Sequence, residues 1–340
     1  MSAHALPAPT LERPRIGFLG VGWIGRTRME AMAATGLIEV AAIADPAPEN
    51  VLQAGLLAPG AARCEALDAL LKQRLDGLVI ATPSALHAEQ SIRALEQGIP
   101  VFCQKPLGRN RAEVEGVIAA ARAADRLLGV DLSYRGTAGM GAIRDLVRTG
   151  QLGHVHAVDL VFHNAFGPDK PWFYDPLLSG GGCMTDLGTH LVDLALWVLD
   201  FPEVEWVSAD LFSKSRRLMD RKRQVEDYGI ATVRLAGGTV MRIATSWHLH
   251  AGQDAIFSAR FFGEKGGASF DNVGGSFYDF AATQFSGTTS QTMTIPGDPW
   301  GGQMAAAWAR RLVHSPAFDP ECESLAIVAG LLDSIYAAHA

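Results

Sequence analysis

The sequence predicts two units of different class: an α/β unit with a doubly wound parallel sheet over residues 15–133, and an α+β unit with a large, mainly antiparallel open sheet over residues 134–340. Three observations carry the prediction. Up to residue 133, short apolar runs alternate with helical stretches across brief connections, the order of a parallel sheet covered on both faces. The segment Gly20-Val21-Gly22-Trp23-Ile24-Gly25 follows the first apolar run and opens the first helix. From Tyr134 onward several β-patterned runs succeed one another without intervening helices, the order of an antiparallel sheet.

In the first unit, strands are expected at Arg15–Leu19, Val40–Ala44, Gly77–Ala81, Pro100–Cys103 and Leu127–Asp131, all near-continuous apolar runs. Helices are expected between them at Gly25–Thr35, Glu49–Ala58, Glu65–Gln73, His87–Gln97 and Arg111–Ala124. The second unit opens with a helix, Gly141–Thr149, a long strand, His154–His163, and a loop rich in Gly, Pro and aromatics. An amphipathic helix, Asp186–Leu199, follows, with Leu187, Leu191, Leu194 and Val198 as its core-facing stripe. Strands are then expected at Val204–Leu211, Tyr228–Leu235, Val240–Trp247, Ile256–Phe262 and Gln291–Ile295, and two helices, Gly302–His314 and Pro320–Ala338, end the chain. Residues 1–14 contain Pro and Ala but no charged-then-apolar signal pattern, and are expected to be a flexible lead-in. Apolar alternation in Val158, Leu160 and Phe162 and in Val233 and Leu235 implies a sheet face that must be covered, so oligomerisation is expected.

The whole-chain numbers narrow the function. A length of 340 residues suits two domains with large cores, and 48% hydrophobic with 19% charged residues is ordinary for a globular protein. A net charge of −7 and the absence of a dense Lys/Arg run argue against a nucleic-acid partner, since Lys214–Arg223 reads as a solvated rim. No window of about 18 residues is free of charges and turn formers, so no membrane span is expected. Cys64, Cys103, Cys183 and Cys322 are scattered without disulfide or metal-ligand spacing, which fits a reducing cytoplasm. No metal site is expected.

The glycine segment carries specific chemistry. Gly20 suits a tight turn, Gly22 a close approach of backbone to a pyrophosphate, and Gly25 close packing of helix on strand. Trp23 and Ile24 sit at the helix start, where free N–H groups and the helix dipole favour phosphate. Asp45 lies twenty residues past Gly25 at the end of the second apolar run. A carboxylate there accepts from ribose hydroxyls and repels a 2′-phosphate, which favours NAD over NADP. Asp45-Pro46 also starts a turn, and Arg26 leaves room for NADP. Ligands bind beyond the carboxyl ends of such strands, so Thr82-Pro83-Ser84 and Gln104-Lys105-Pro106 share the rim with the glycine turn.

Two further groups bear chemistry. Lys105, partly desolvated on that rim and near an oxidised nicotinamide, is expected to hold its proton less tightly and to exchange one with a substrate hydroxyl; a plain surface lysine is the other reading. In Ser179-Gly180-Gly181-Gly182-Cys183-Met184-Thr185-Asp186-Leu187-Gly188-Thr189-His190, Asp186 and His190 stand four apart and share a helix face. The glycines would let backbone approach a cofactor ring or sugar. Asp186 as a helix cap and His190 as an interior imidazole are the plainer readings.

Together these residues resemble the Gfo/Idh/MocA family of oxidoreductases over residues 15–340. The carriers are Gly20-x-Gly22-x-x-Gly25, Ala44-Asp45-Pro46, Thr82-Pro83-x-x-x-His87, Lys105-Pro106 and Gly180-Gly181-Gly182-x-x-x-Asp186-x-Gly188-x-His190-x-x-Asp193. The resemblance implies a catalytic set of Lys105, Asp186 and His190, and a cofactor loop oriented by His87. Arg135 after Tyr134, Trp172 in the loop Phe166–Phe173, and His248 after Trp247 resemble positions that reach the substrate. Where the family has Glu-Lys-Pro this chain has Gln104, which loses a negative charge beside Lys105 and is expected to weaken its hold on a proton. The implied activity is NAD-dependent hydride transfer between nicotinamide and a secondary hydroxyl or ketone of a sugar, sugar acid or cyclitol. Other activities within the resemblance are NAD-dependent glycoside hydrolysis and dinucleotide-binding regulation without catalysis. The resemblance also implies a homodimer or homotetramer.

Overall fold

Six parallel strands make the first sheet of the computed structural model, which describes residues 13–339; the expected lead-in, residues 1–14, lies almost entirely outside them. The strands are β1 (Arg15–Leu19), β2 (Glu39–Ala44), β3 (Ala62–Cys64), β4 (Gly77–Ile80), β5 (Val101–Cys103) and β6 (Leu128–Val130), in the order β3-β2-β1-β4-β5-β6. Helices α1 (Trp23–Ala34), α2 (Pro48–Leu57), α3 (Leu67–Leu70), α4 (Ser84–Glu96) and α5 (Arg111–Ala124) connect them. This is the Rossmann order, with its switch point between β1 and β4. β3 escaped the sequence pattern because three residues around Arg63 give no apolar run.

Strand apolarity is near-continuous because both faces are buried. Ile16, Phe18, Ile43, Val79 and Phe102 form one core, and Leu78, Ile80, Val101 and Cys103 belong to the core on the other face. The first of these cores is completed by α9 (Gln303–His314), whose Ala305, Trp308, Ala309 and Leu312 are buried in it. A Cβ added at Gly77 would lie 2.7 Å from the Trp308 ring, and one at Gly129 2.5 Å from it. These glycines leave a slot in the sheet that the indole fills. The first unit is therefore closed by a helix that follows the whole second sheet in sequence.

The second unit comprises α6 (Ala138–Arg148), β7 (Val155–Asn164), α7 (Pro176–Ser179), α8 (Thr189–Val198), β8 (Val204–Ser213), β9 (Arg216–Arg217), β10 (Tyr228–Leu235), β11 (Val240–Ser246), β12 (Ala255–Gly263), β13 (Gly267–Asn272), β14 (Phe280–Ser286), β15 (Thr289–Thr294) and α10 (Ser324–Ala338). Its sheet runs β15-β14-β13-β12-β7-β11-β10-β8-β9, with every pairing among the described residues antiparallel except β7 with β11. β9, β13 and β14 were not expected, since they are short, or rich in small and polar residues.

Two expectations are corrected here. The apolar face of the sheet is already covered by the chain's own helices: Val158, Leu160, Phe162, Val233 and Leu235 share one core with α6, α8 and α10. The opposite face carries ion pairs such as Arg242 with Asp159 and Arg260 with Asp271. The helix expected at Asp186–Leu199 is not amphipathic, because in α8 every residue but His190 is buried. It runs between the sheet and α6 and α10, so both its sides meet core. Among the described residues no helix is long and apolar enough to cross a membrane.

Replacing Trp308 with Ala would empty the slot between Gly77 and Gly129, and should destabilise the protein by about 3–5 kcal/mol in chemical denaturation. A loss below about 1 kcal/mol would show that the first core closes without α9.

Candidate active site

Beyond the carboxyl ends of β1, β4 and β5 lies a cleft of about 800 Å³ lined from both units. The first unit contributes Gly22, Trp23, Ile24, Gly25, Thr82, Pro83, His87, Gln104 and Lys105, which are predicted site residues. The second unit contributes Tyr134, Asp186 and His190, with Trp172 and Phe173 from the loop after β7.

The glycine turn has a geometry suited to a dinucleotide. Gly20 has φ +83°, and a Cβ there would lie 2.5 Å from the Ala81 carbonyl oxygen. A Cβ on Gly25 would overlap the Gly20 carbonyl oxygen, whereas one on Gly22 would meet only Asn50 Nδ2 at 3.7 Å. The open side of the turn is thus at Gly22, facing the cleft. The N-terminus of α1 has no side-chain cap and no acidic residue in its first turn, so its amides and dipole are available to phosphate. Asp45 stands behind the turn. Its Oδ2 accepts from Val21 N at 2.8 Å, and its Oδ1 accepts from Ala47 N at 2.9 Å and Asn50 Nδ2 at 3.0 Å. The turn role is seen directly, and it takes three of the carboxylate's about four acceptor sites. Neither Gly20 nor Asp45 is among the residues lining the cleft.

His87 braces the rim. Its Nδ1 faces the Pro106 carbonyl and its Nε2 the Thr82 carbonyl, both at 2.6 Å. Burial lowers its pKa against these two contacts, which oppose the shift. The ring thereby ties the loop after β4 to the turn after β5 that carries Lys105.

Lys105 reaches across the cleft. Its Nζ donates to the Asp186 backbone oxygen at 2.9 Å and to Asp186 Oδ1 at 2.6 Å. Trp247 Nε1 donates to Asp186 Oδ2 at 3.3 Å. Asp186 thus places a carboxylate beside Lys105, and Gln104 stands next to it as a neutral amide. Among the described residues no hydrogen bond joins Asp186 to His190, although both line the cleft, Asp186 from a π turn at Met184–Gly188 ahead of α8. The His190 ring instead meets Tyr134 edge-on, with centroids 5.0 Å apart. Burial, then Lys105 and Arg28, hold its pKa well below 6.5, and neither ring nitrogen bonds a protein group among the described residues.

The three glycines before Asp186 are packed closely against protein. A Cβ would be 2.7 Å from that of Arg109 at Gly180, and would overlap the Tyr336 hydroxyl at Gly181 and the Glu226 carbonyl at Gly182. Buried Glu226, which the sequence reading missed, explains this crowding: its Oε1 accepts from Gly182 N, Met184 N and Tyr336 Oη at 2.9, 2.9 and 2.7 Å. It caps the turn that presents Asp186. Burial raises its pKa, against those hydrogen bonds.

Two expected substrate contacts lie elsewhere. Arg135 is not in the cleft lining; its guanidinium forks onto buried Asp193, with Nε to Oδ2 at 2.8 Å, over Trp197 and Phe201. A buried guanidinium takes its carboxylate where the fold offers one. His248 packs on Tyr174, with Nε2 3.3 Å from Oη, outside the lining. Trp172, stacked on Phe173 at 3.8 Å, does line the cleft. Arg28, Asn164, Tyr278 and Trp300 line it unforeseen. Arg28 shares the buried face of α1 with Gly25, Met29 and Met32, and a charge on that stripe was the available signal. No group of three or more His, Cys, Asp or Glu among the described residues is arranged to hold a metal ion.

Two family models match the chain. Residues 14–132 match an oxidoreductase family with an NAD-binding Rossmann fold, and residues 140–269 match the GFO/IDH/MocA C-terminal domain. A putative UDP-kanosamine synthase oxidoreductase subunit from Amycolatopsis mediterranei is 32% identical over 71% of this chain and 70% of its own. A D-glucoside 3-dehydrogenase from Escherichia coli is 28% identical over 59% of this chain, and the match spans 60% of that relative's length. A 3-ketoreductase from Actinomadura kijaniata, solved with NADP and TDP-benzene, has the same fold, with a TM-score of 0.82 at 22% identity over 96% of this chain and 98% of that one. The chain belongs to the GFO/IDH/MocA family of NAD(P)-binding oxidoreductases, which includes sugar dehydrogenases and reductases.

The turn geometry separates two substitutions. Gly25→Ala should destabilise the protein by about 1–3 kcal/mol, as overpacking does. Gly22→Ala should leave stability within about 0.5 kcal/mol yet weaken NADH binding in a fluorescence titration. Equal stability losses at both would mean that the open side of the turn is not at Gly22.

Proposed function

We propose that this family member interconverts a secondary hydroxyl and a ketone on a sugar, sugar acid or cyclitol, with Lys105, Asp186 and His190 as its catalytic set. The observation that carries the reading is the His190 imidazole, its pKa held low by burial and without a hydrogen-bond partner among the described residues, in the same cleft as the Lys105–Asp186 ion pair. A bound nicotinamide dinucleotide would supply the hydride acceptor or donor. His190 takes the hydroxyl proton in the oxidative direction and returns it in the reductive one. Lys105 has three N–H donors, of which Asp186 occupies two, so the third is free to hold the reacting oxygen. Asp186 fixes that ammonium, with the Trp247 indole steadying its second oxygen.

The cleft also favours a polyhydroxylated ligand. Arg28 Nη1 and Asn164 Oδ1, both on residues lining it, are buried without partners among the described residues. A buried polar atom left unsatisfied costs about 1–3 kcal/mol, and a polyol offers both a donor and an acceptor. The two sugar-acting relatives support the same class. NAD is proposed as the cofactor over NADP because the Asp45 carboxylate behind the glycine turn opposes a 2′-phosphate. We extend the proposal to a homodimer through the outer sheet face, where Trp206 and Ile230 are exposed among charged neighbours. Trp206→Glu would then halve the mass found by light scattering, and a monomeric parent would refute the assembly.

Activity is tested by NADH absorbance with sugars, sugar acids and cyclitols. His190→Ala should lower kcat by about 10²-fold or more while leaving NADH affinity within about threefold. Equal losses in both would make the imidazole structural. The pH profile of oxidation has a definite sign. A base whose pKa is held below 6.5 stays neutral as pH falls through 6.5, so kcat/KM should remain flat there and decline only at lower pH. The same depression means the unfolded chain binds the proton first, so His190 contributes stability above 6.5 that is lost as pH falls below it.

A further inference from the structure

We propose that Asp131 is a positioning residue for Lys105, acting through Gln104, and that position 104 carries an amide because position 131 carries the charge. The inference rests on the role given to Lys105 above. It starts from Arg28, whose guanidinium is 2% exposed on the buried face of α1. A buried guanidinium needs a carboxylate. Asp131, fully buried just after β6, provides it: Oδ2 accepts from Arg28 Nε at 2.5 Å. Ser133 closes the ring, donating to Asp131 Oδ1 and accepting from Arg28 Nη2, each at 3.1 Å.

The same Oδ2 is approached from its other side by Gln104 Nε2 at 2.9 Å, a place that only a donor can take. The other end of that amide, Oε1, accepts the backbone N–H of Lys105 at 3.1 Å. One glutamine thus ties the buried charge to the peptide of the residue that reaches Asp186. Both ends of the link are anchored, because β5 pairs with β6 and Asp131 N donates to the Cys103 carbonyl at 2.9 Å. A glutamate at position 104 would bring a second carboxylate to Asp131 at hydrogen-bond distance, where both cannot stay ionised. Charge at one position therefore excludes charge at the other.

The test is a double-mutant cycle in the full chain with Gln104→Glu, Asp131→Asn and the combined variant, which moves a single negative charge from one residue to the other. Each single substitution should lower kcat about tenfold or more and shift the pH–rate profile, and the combined variant should return kcat to within about threefold of the parent and restore the profile. A readout independent of turnover is the rate of Lys105 acylation by acetic anhydride, followed by mass spectrometry. It should change in both single variants and recover in the combined one. Losses that simply multiply, or a Gln104→Glu protein with parental kcat, profile and acylation, would overturn the proposal. Recovery of melting temperature without recovery of Lys105 reactivity would reduce Asp131 to a structural role and also overturn it. A parent without hydride transfer would sink the functional reading alone, because the acylation cycle still decides this one.

Discussion

The ion pair between Lys105 and Asp186 is the contact on which the arrangement of the cleft depends. It joins a turn at the edge of the parallel sheet to a turn ahead of the central helix of the second unit, so each unit fixes a charged side chain of the other. Neither side chain is free to find this geometry alone. The lysine turn is braced by His87 against the loop after β4, and the aspartate turn is capped from beneath by Glu226. Supporting groups that are themselves buried and hydrogen-bonded keep such a pair in place.

Buried charge is distributed economically through the site. Arg28 answers Asp131, Arg135 answers Asp193 and Lys105 answers Asp186, leaving His190 as the neutral member among them. An imidazole in that setting is surrounded by paired charges and aromatic rings, so its proton affinity is set by burial first and by the neighbouring cations second. Of the buried polar side-chain atoms without a partner among the described residues, those of Arg28 and Asn164 belong to residues bordering the cleft.

The parallel sheet was legible because its physics is local. Apolar runs, glycine turns and helix lengths in residues 15–133 place five of its strands and the rim that carries Lys105. Asp186 and His190 were legible as a spaced pair, but their relation was not: the carboxylate bonds Lys105 of the first unit, and no spacing within that segment announces a partner so far away in sequence. The glycines at 180–182 look alike whether a ligand or a protein carbonyl comes close. Only the fold brings Glu226 there, from more than forty positions away. Arg135 misled for the same reason, since its partner Asp193 lies on a different element. The apolar alternation of the second sheet was read correctly as a buried face, yet what buries it, α6, α8 and α10, is invisible to a strand pattern.

The return of α9 to the first core has a consequence for how the chain comes into being. A nascent polypeptide emerges amino end first, and the parallel sheet is complete in strands once β6 has left the ribosome. Its slot between Gly77 and Gly129 stays unfilled until Trp308 arrives, after every strand of the second sheet has been made. The apolar wall lined by Ile16, Phe18 and Phe102 therefore lacks its final cover through most of synthesis. Apolar surface left open in that interval favours self-association of the growing chain.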